Sequence, residues 1–120
     1  MNRHVSIFLV EDDVLIRMIV SDMLAELGDR VIAEAGAIDE ALPNAASADF
    51  ELAILDVNVN GVKVTPVAQM IKARNCPIIF ATGYGFAGLP DEFYDYPALQ
   101  KPFQIDALAK AIDDVSKTSD

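Results

Sequence analysis

Four short apolar runs rich in β-branched residues punctuate the chain, VSIFLV (5–10), VIAEA (31–35), LAIL (52–55) and PIIFA (77–81), each bounded by charge, Gly or Pro. Such runs predict buried strands. Between the first two, Ile16, Ile19, Val20, Met23 and Leu27 recur at helical spacing, with Asp12 or Asp13 placed to cap the start and Gly28 placed to end the helix. Val64, Val67, Ala68 and Ile71 form a second stripe, and Ile105, Leu108, Ala109, Ile112 and Val115 form another after Pro102, which suits a helix start. IDEALPNAA (38–46) also reads as helical, but Pro43 removes a helix hydrogen bond and predicts a short or bent element. In TGYGFAGLPDEFYDYPALQ (82–100), Gly83, Gly85, Gly88, Pro90 and Pro97 discourage a long fourth helix. That stretch predicts at most a short helix near Asp91 to Tyr94, then a brief fifth strand at Ala98 to Gln100. Strand and helix thus alternate along the whole chain, the pattern of an α/β fold with a doubly wound parallel sheet, helices on both faces and right-handed crossovers.

With 120 residues and 13.0 kDa, the chain has room for one compact domain spanning 1–120. Hydrophobic residues make up 52% and charged residues 23%, a balance that excludes a disordered segment and fits a sheet covered by helices. The net charge of -10 and pI near 4.3 argue against nucleic acid as a partner, because phosphate backbones are held by clustered Lys and Arg. Proteins and cations are the expected partners. Cys76 is the single cysteine, so no disulfide framework or thiolate metal site can form within one chain, and it reads as a small buried apolar residue. MNRHVSIFLV lacks the long apolar stretch and cleavage site of a signal peptide, and no apolar run approaches the length of a bilayer. A soluble cytoplasmic protein without membrane partners is the expectation.

The chemistry gathers at strand ends. Glu11, Asp12 and Asp13 follow the first strand, Asp56 follows LAIL, Thr82 follows PIIFA and Lys101 follows the short fifth strand. In an open α/β sheet, ligands bind beyond the carboxyl ends of the strands. Two carboxylates about 4 Å apart repel by roughly 4 kcal/mol at an effective dielectric near 20, so folding alone does not favour the acidic cluster. Oxygen-only chemistry from converging acids favours a hard divalent cation, and Mg²⁺ takes one or two carboxylates while keeping waters and phosphate oxygens. The plainer reading holds for Asp13, which is better placed as an N-cap than as a ligand.

In the order IFLVEDDVLIR, LAILDVNVNG, PIIFATGY and QKPF, these motifs resemble the receiver domain of bacterial two-component response regulators. The resemblance covers the whole chain. It implies a flavodoxin-like (βα)5 fold with strand order 2-1-3-4-5, and reversible phosphorylation of an aspartate by a histidine kinase or phosphotransfer protein. It further implies that Asp56 is the phosphoacceptor, that Glu11 and Asp12 hold Mg²⁺ with Asp56 and the main-chain carbonyl of Asn58, that Thr82 bonds the phosphoryl oxygen, and that Lys101 pairs with another. Pro102 stands where the family usually has a cis peptide, aiming the lysine inward. No separate substrate is turned over on this reading. Phosphorylation instead switches binding to a downstream regulatory protein.

FATGYG (80–85) resembles the FATGUY receivers, often stand-alone proteins linked in alphaproteobacteria to the general stress response. The family's switch aromatic, three residues before the lysine, is here Ala98, so a rotating ring cannot report phosphorylation. The stretch bearing Phe86, Phe93, Tyr94 and Tyr96 is the alternative carrier, or else cover for a sheet edge. A Mg²⁺-dependent aspartyl-phosphate phosphatase is the rival reading, but it calls for an acid two residues after the nucleophile, where Asn58 stands, and for a cap domain. A flavin-binding module would place Ser, Thr, Gly and backbone donors where VEDDVLI has acids. A receiver fragment of a larger regulator or hybrid kinase is the remaining alternative.

Overall fold

A computed structural model describes residues 4–83 and 88–118. Five parallel strands run in the order β2-β1-β3-β6-β7, where β1 is Ser6–Val10, β2 Arg30–Ala35, β3 Leu52–Asp56, β6 Ile78–Thr82 and β7 Ala98–Gln100. A separate two-stranded hairpin, β4 (Asn58–Val59) and β5 (Val62–Lys63), follows β3. Counting the main sheet alone, this is the expected order 2-1-3-4-5. The helices are α1 (Val14–Glu26), α2 (Ile38–Ser47), α3 (Thr65–Ala73) and α4 (Ile105–Thr118). Among the described residues before β7, Asp91–Phe93 form a 3-10 turn. The segment bearing Tyr84, Gly85 and Phe86 lies outside the described residues.

The sheet divides two cores. On one face Phe8, Leu55, Phe80 and Phe93 pack with Val67, Ala68 and Ile71 of α3; on the other Ile7, Leu9, Ile54 and Ile79 pack with Val20 and Leu24 of α1 and Leu108 and Ile112 of α4. β3 and β6 are buried along their full lengths, as continuous apolar runs in a parallel sheet must be. β2 departs from the buried strand expected of VIAEA: it is the sheet edge, and only Ala35 is buried. The α1 stripe also turns further than its spacing predicts, since Val20 and Leu24 are buried while Ile19 is 46% exposed.

Local chemistry explains the boundaries. The Asp13 carboxylate accepts from the Ile16 N–H and caps α1, and Gly28 takes φ +88° to turn the chain after it. α2 runs through Pro43, which lies on the exposed side of the helix, so the carbonyl it leaves without an N–H partner can face water. Arg74 then closes α2 from α3's end: its guanidinium donates to the carbonyls of Ala45 (2.7 Å) and Ala48 (2.8 Å) and lies 4.5 Å from the Phe50 ring centre. Cys76 is partly rather than fully buried and packs at the edge of the core. No described helix is long and apolar enough to cross a membrane.

Candidate phosphoacceptor site

Every strand-end residue singled out in the sequence reaches one cavity of about 460 Å³ at the carboxyl edge of the sheet, lined by Glu11, Asp12, Asp13, Ile16, Asp56, Val57, Asn58, Thr82, Gly83 and Lys101. The register explains why. Val10 sits beside Leu55, and Asp56 beside Ala81, so β1, β3 and β6 end within two residues of one another and bring Glu11, Asp56 and Thr82 to the same edge. Glu11 is 3% exposed, Asp56 6% and Thr82 1%, so the acids stand at the floor of the cavity rather than in bulk water. Among the described residues, Glu11, Asp12 and Asp56 are the acids that bring carboxylate oxygens within 4.8 Å of one another.

Lys101 provides the positive charge. The Lys101–Pro102 bond is cis, as the resemblance implies, and the Lys101 Nζ donates to Glu11 Oε1 at 3.0 Å and to Asp56 Oδ2 at 3.2 Å. One ammonium thus serves two carboxylates, and with Asp12 the cluster carries an excess of negative charge. Burial, with the hydrogen bond to Asp12 and the charge of Asp56 adding to it, pushes the Glu11 carboxyl up to about 7 against the lowering effect of the Asp13 N–H and Lys101. Burial likewise raises Asp56, with Lys101 opposing. Burial works against the Lys101 ammonium, but Glu11 and Asp56 outweigh it and hold its pKa above the ordinary lysine value. Asp12, nearer the surface, goes the other way: burial is overcome by hydrogen bonds led by the Asn60 N–H, and its carboxyl titrates below the usual range. Hard oxygen donors, crowded and short of one cation, fit Mg²⁺ by the chemistry of the donor set.

The backbone of the site is held from outside. The Glu11 Oε2 accepts from the Asp13 N–H at 3.0 Å, and the Asn58 N–H points back at Asp56 Oδ1 at 3.4 Å. Asp12 Oδ2 accepts from the Asn60 N–H at 2.8 Å. The β4–β5 hairpin that supplies this donor was missed by the strand patterning, although Asn60-Gly61 between Val59 and Val62 is the usual signal for a two-residue hairpin turn. Asn58 lines the cavity, consistent with its expected place beside the acids. Ala98 pairs with Phe80 across β6 and β7, and Tyr96 packs against Phe80 and Phe93 instead, at 6.1 and 4.9 Å between ring centres.

A doubly wound sheet with an acidic cluster and one lysine at its carboxyl edge defines a class, and the comparisons agree. Residues 7–113 match the response regulator receiver domain, and the chain belongs to that family. It is 32% identical to the transcriptional regulatory protein PdtaR of Mycobacterium tuberculosis over 113 residues, covering 89% of this chain and 54% of PdtaR. The chain therefore spans about half the length of that relative. Among solved structures it is similar to SdrG from Sphingomonas melonis Fr1, with 38% identity, a TM-score of 0.83, and coverage of 94% of this chain and 97% of that one. Against the BeF3-activated conformation of SdrG, the TM-score is 0.78 at the same identity and coverage.

Proposed function

We propose that residues 1–120 form one receiver domain that accepts a phosphoryl group on Asp56 from a histidine kinase or histidine phosphotransfer protein and thereby changes its binding to a downstream regulatory protein. The observation that carries this reading is the Lys101 bridge, 3.0 Å to Glu11 and 3.2 Å to Asp56, at the floor of a cavity shared with Asp12 and Thr82. The step forms a bond from an Asp56 carboxylate oxygen to phosphorus and breaks the bond from phosphorus to the donor imidazole nitrogen, which keeps the electron pair. Lys101 steadies one phosphoryl oxygen and the Thr82 hydroxyl donates to another, while burial of Asp56 excludes competing water. Mg²⁺, held by Glu11, Asp12, Asp56 and the Asn58 carbonyl, supplies charge neutralisation when bound.

The approach to the cavity supports a protein as donor. Val14, Leu15, Met18 and Ile19 are exposed on α1 beside the acids, and an apolar groove of about 240 Å³ runs between Ile16, Ile19, Met23, Pro102 and Phe103. Exposed apolar side chains next to a phosphoacceptor favour docking of an apolar helical face over capture of a small polar molecule. A general stress role rests on FATGYG, whose last position is Gly85 where the motif has tyrosine.

Treatment with a small phosphodonor tests the assignment. Mass spectrometry is expected to show one phosphoryl group on the wild type with Mg²⁺, and none on Asp56→Asn or in chelator. Equal labelling of Asp56→Asn would overturn it.

A further inference from the structure

The two acids that follow β1 are each gripped from outside the cavity, and the two grips meet at Gly36, in the loop between β2 and α2. From α1, Arg17 Nη1 donates to the main-chain carbonyl of Glu11 at 3.0 Å, while its Nε lies 3.3 Å from Glu34 Oε1 on β2. From the hairpin, the Asn60 N–H donates to Asp12 Oδ2 at 2.8 Å, and the Asn60 side-chain amide donates to the Gly36 carbonyl at 3.1 Å. Gly36 is itself anchored, its N–H bonded to Glu40 Oε1 at 3.0 Å. A Cβ at Gly36 would stand 2.5 Å from Arg17 Nη1, so the missing side chain is what lets the guanidinium pass to Glu11. Asn60 and Gly61 both take positive φ, 54° and 78°, the geometry of a two-residue hairpin turn. The N–H of the first turn residue takes no part in such a hairpin's own ladder, which leaves it free to bond outward to Asp12.

None of Arg17, Gly36 and Asn60 lines the cavity. We propose that Arg17 and Asn60, joined through Gly36, are positioning residues that preset Glu11 and Asp12 for a divalent cation. The inference rests on the metal reading above. Without these holds, like charges drive the two carboxylates apart, and a cation must order them as it binds. Held in place from behind, they meet the cation already arranged, as outer partners do at metal sites generally. The loop after β2 contributes no candidate ligand, yet it sets the affinity of the site.

Titration calorimetry with MgCl₂ on the whole chain tests this, alongside thermal melts that report folding. Gly36→Ala displaces only the flexible end of Arg17; Arg17→Met removes its donors; Asn60→Gly keeps the turn and the backbone N–H and loses only the tie to Gly36. Each is expected to weaken Mg²⁺ binding by about 10-fold. Arg74→Met, remote from the cavity, is expected to lower the melting temperature and leave the affinity unchanged. Folded Arg17→Met and Asn60→Gly proteins that bind Mg²⁺ within twofold of wild type would overturn the positioning role alone. A wild-type chain that binds no Mg²⁺ would overturn the metal reading and this inference with it.

Discussion

Replacing Glu11 by Gln is expected to stabilise the metal-free protein, although it removes a buried ion pair. Glu11 and Asp56 share a single lysine, so one of the two carboxylates is in effect uncompensated. Burial and its acidic neighbours raise the Glu11 carboxyl from 4.5 to about 7. The folded protein therefore holds more protons than the unfolded chain between those values, and wild-type stability falls as pH rises through that window. By pH 8 the whole of that window has been crossed, and at about 1.4 kcal/mol for each pH unit the cost of keeping Glu11 ionised is about 3 kcal/mol. Gln mimics the protonated acid but offers one acceptor to two donors, Lys101 Nζ and the Asp13 N–H, which takes back about 1 kcal/mol. About 2 kcal/mol remains, on the order of 7 °C in melting temperature for a domain of this size. Circular dichroism melts in chelator at pH 8 and pH 5 provide the assay. At pH 5 only about half a pH unit of that window has been crossed, a cost of about 0.7 kcal/mol that roughly offsets the hydrogen bond lost in Gln, and the two proteins should melt together. A Glu11→Gln protein that melts below wild type at pH 8, or that shows the same difference at both pH values, would refute the reasoning.

Two further outcomes follow from the same geometry. Because Mg²⁺ must displace the Glu11 proton, its affinity should be about tenfold weaker at pH 6 than at pH 8, with proton release near pH 6 visible as buffer-dependent calorimetric heats; a flat profile would contradict the raised Glu11 carboxyl. Arg74→Met should cost about 1 to 2 kcal/mol in denaturant melts, since it leaves the Ala45 and Ala48 carbonyls without their donors and strips the cation from Phe50.

Much of this architecture was legible in the sequence because burial imposes its own pattern. β3 and β6 are shielded on both faces, so LAIL and PIIFA had to be continuous apolar runs, and the acids, Thr82 and Lys101 stood out as the polar residues that interrupt or end such runs. β2 was harder to read, because VIAEA is apolar enough for a central strand, and its edge position follows from strand order rather than from its own residues. The extent of α2 was obscured by Pro43, whose exposed placement no local rule reveals. The hairpin after Asp56 was hidden by strands of two residues each, too short to show alternation, though Asn60-Gly61 signalled it. Arg17 could not be found by spacing at all. Its role depends on a glycine nineteen residues later in the chain that the fold brings beside it.

The cavity is assembled from parts of unequal permanence. Asp56 ends β3, which has a strand on each side and is buried throughout, the kind of segment whose amides exchange with solvent only when the whole domain opens. Lys101 comes from the opposite extreme: it follows β7, three residues long, at the sheet edge, attached through bonds such as Phe80 N–H to the Pro97 carbonyl and Lys101 N–H to the Thr82 carbonyl. Edge strands of that length fray by local opening at a fraction of the global free energy. Fraying here would withdraw the ammonium while leaving Asp56 fixed. On the proposed reading, a protein that peeled or clamped β7 would therefore set the reactivity of Asp56 from the rim, without touching the cavity itself.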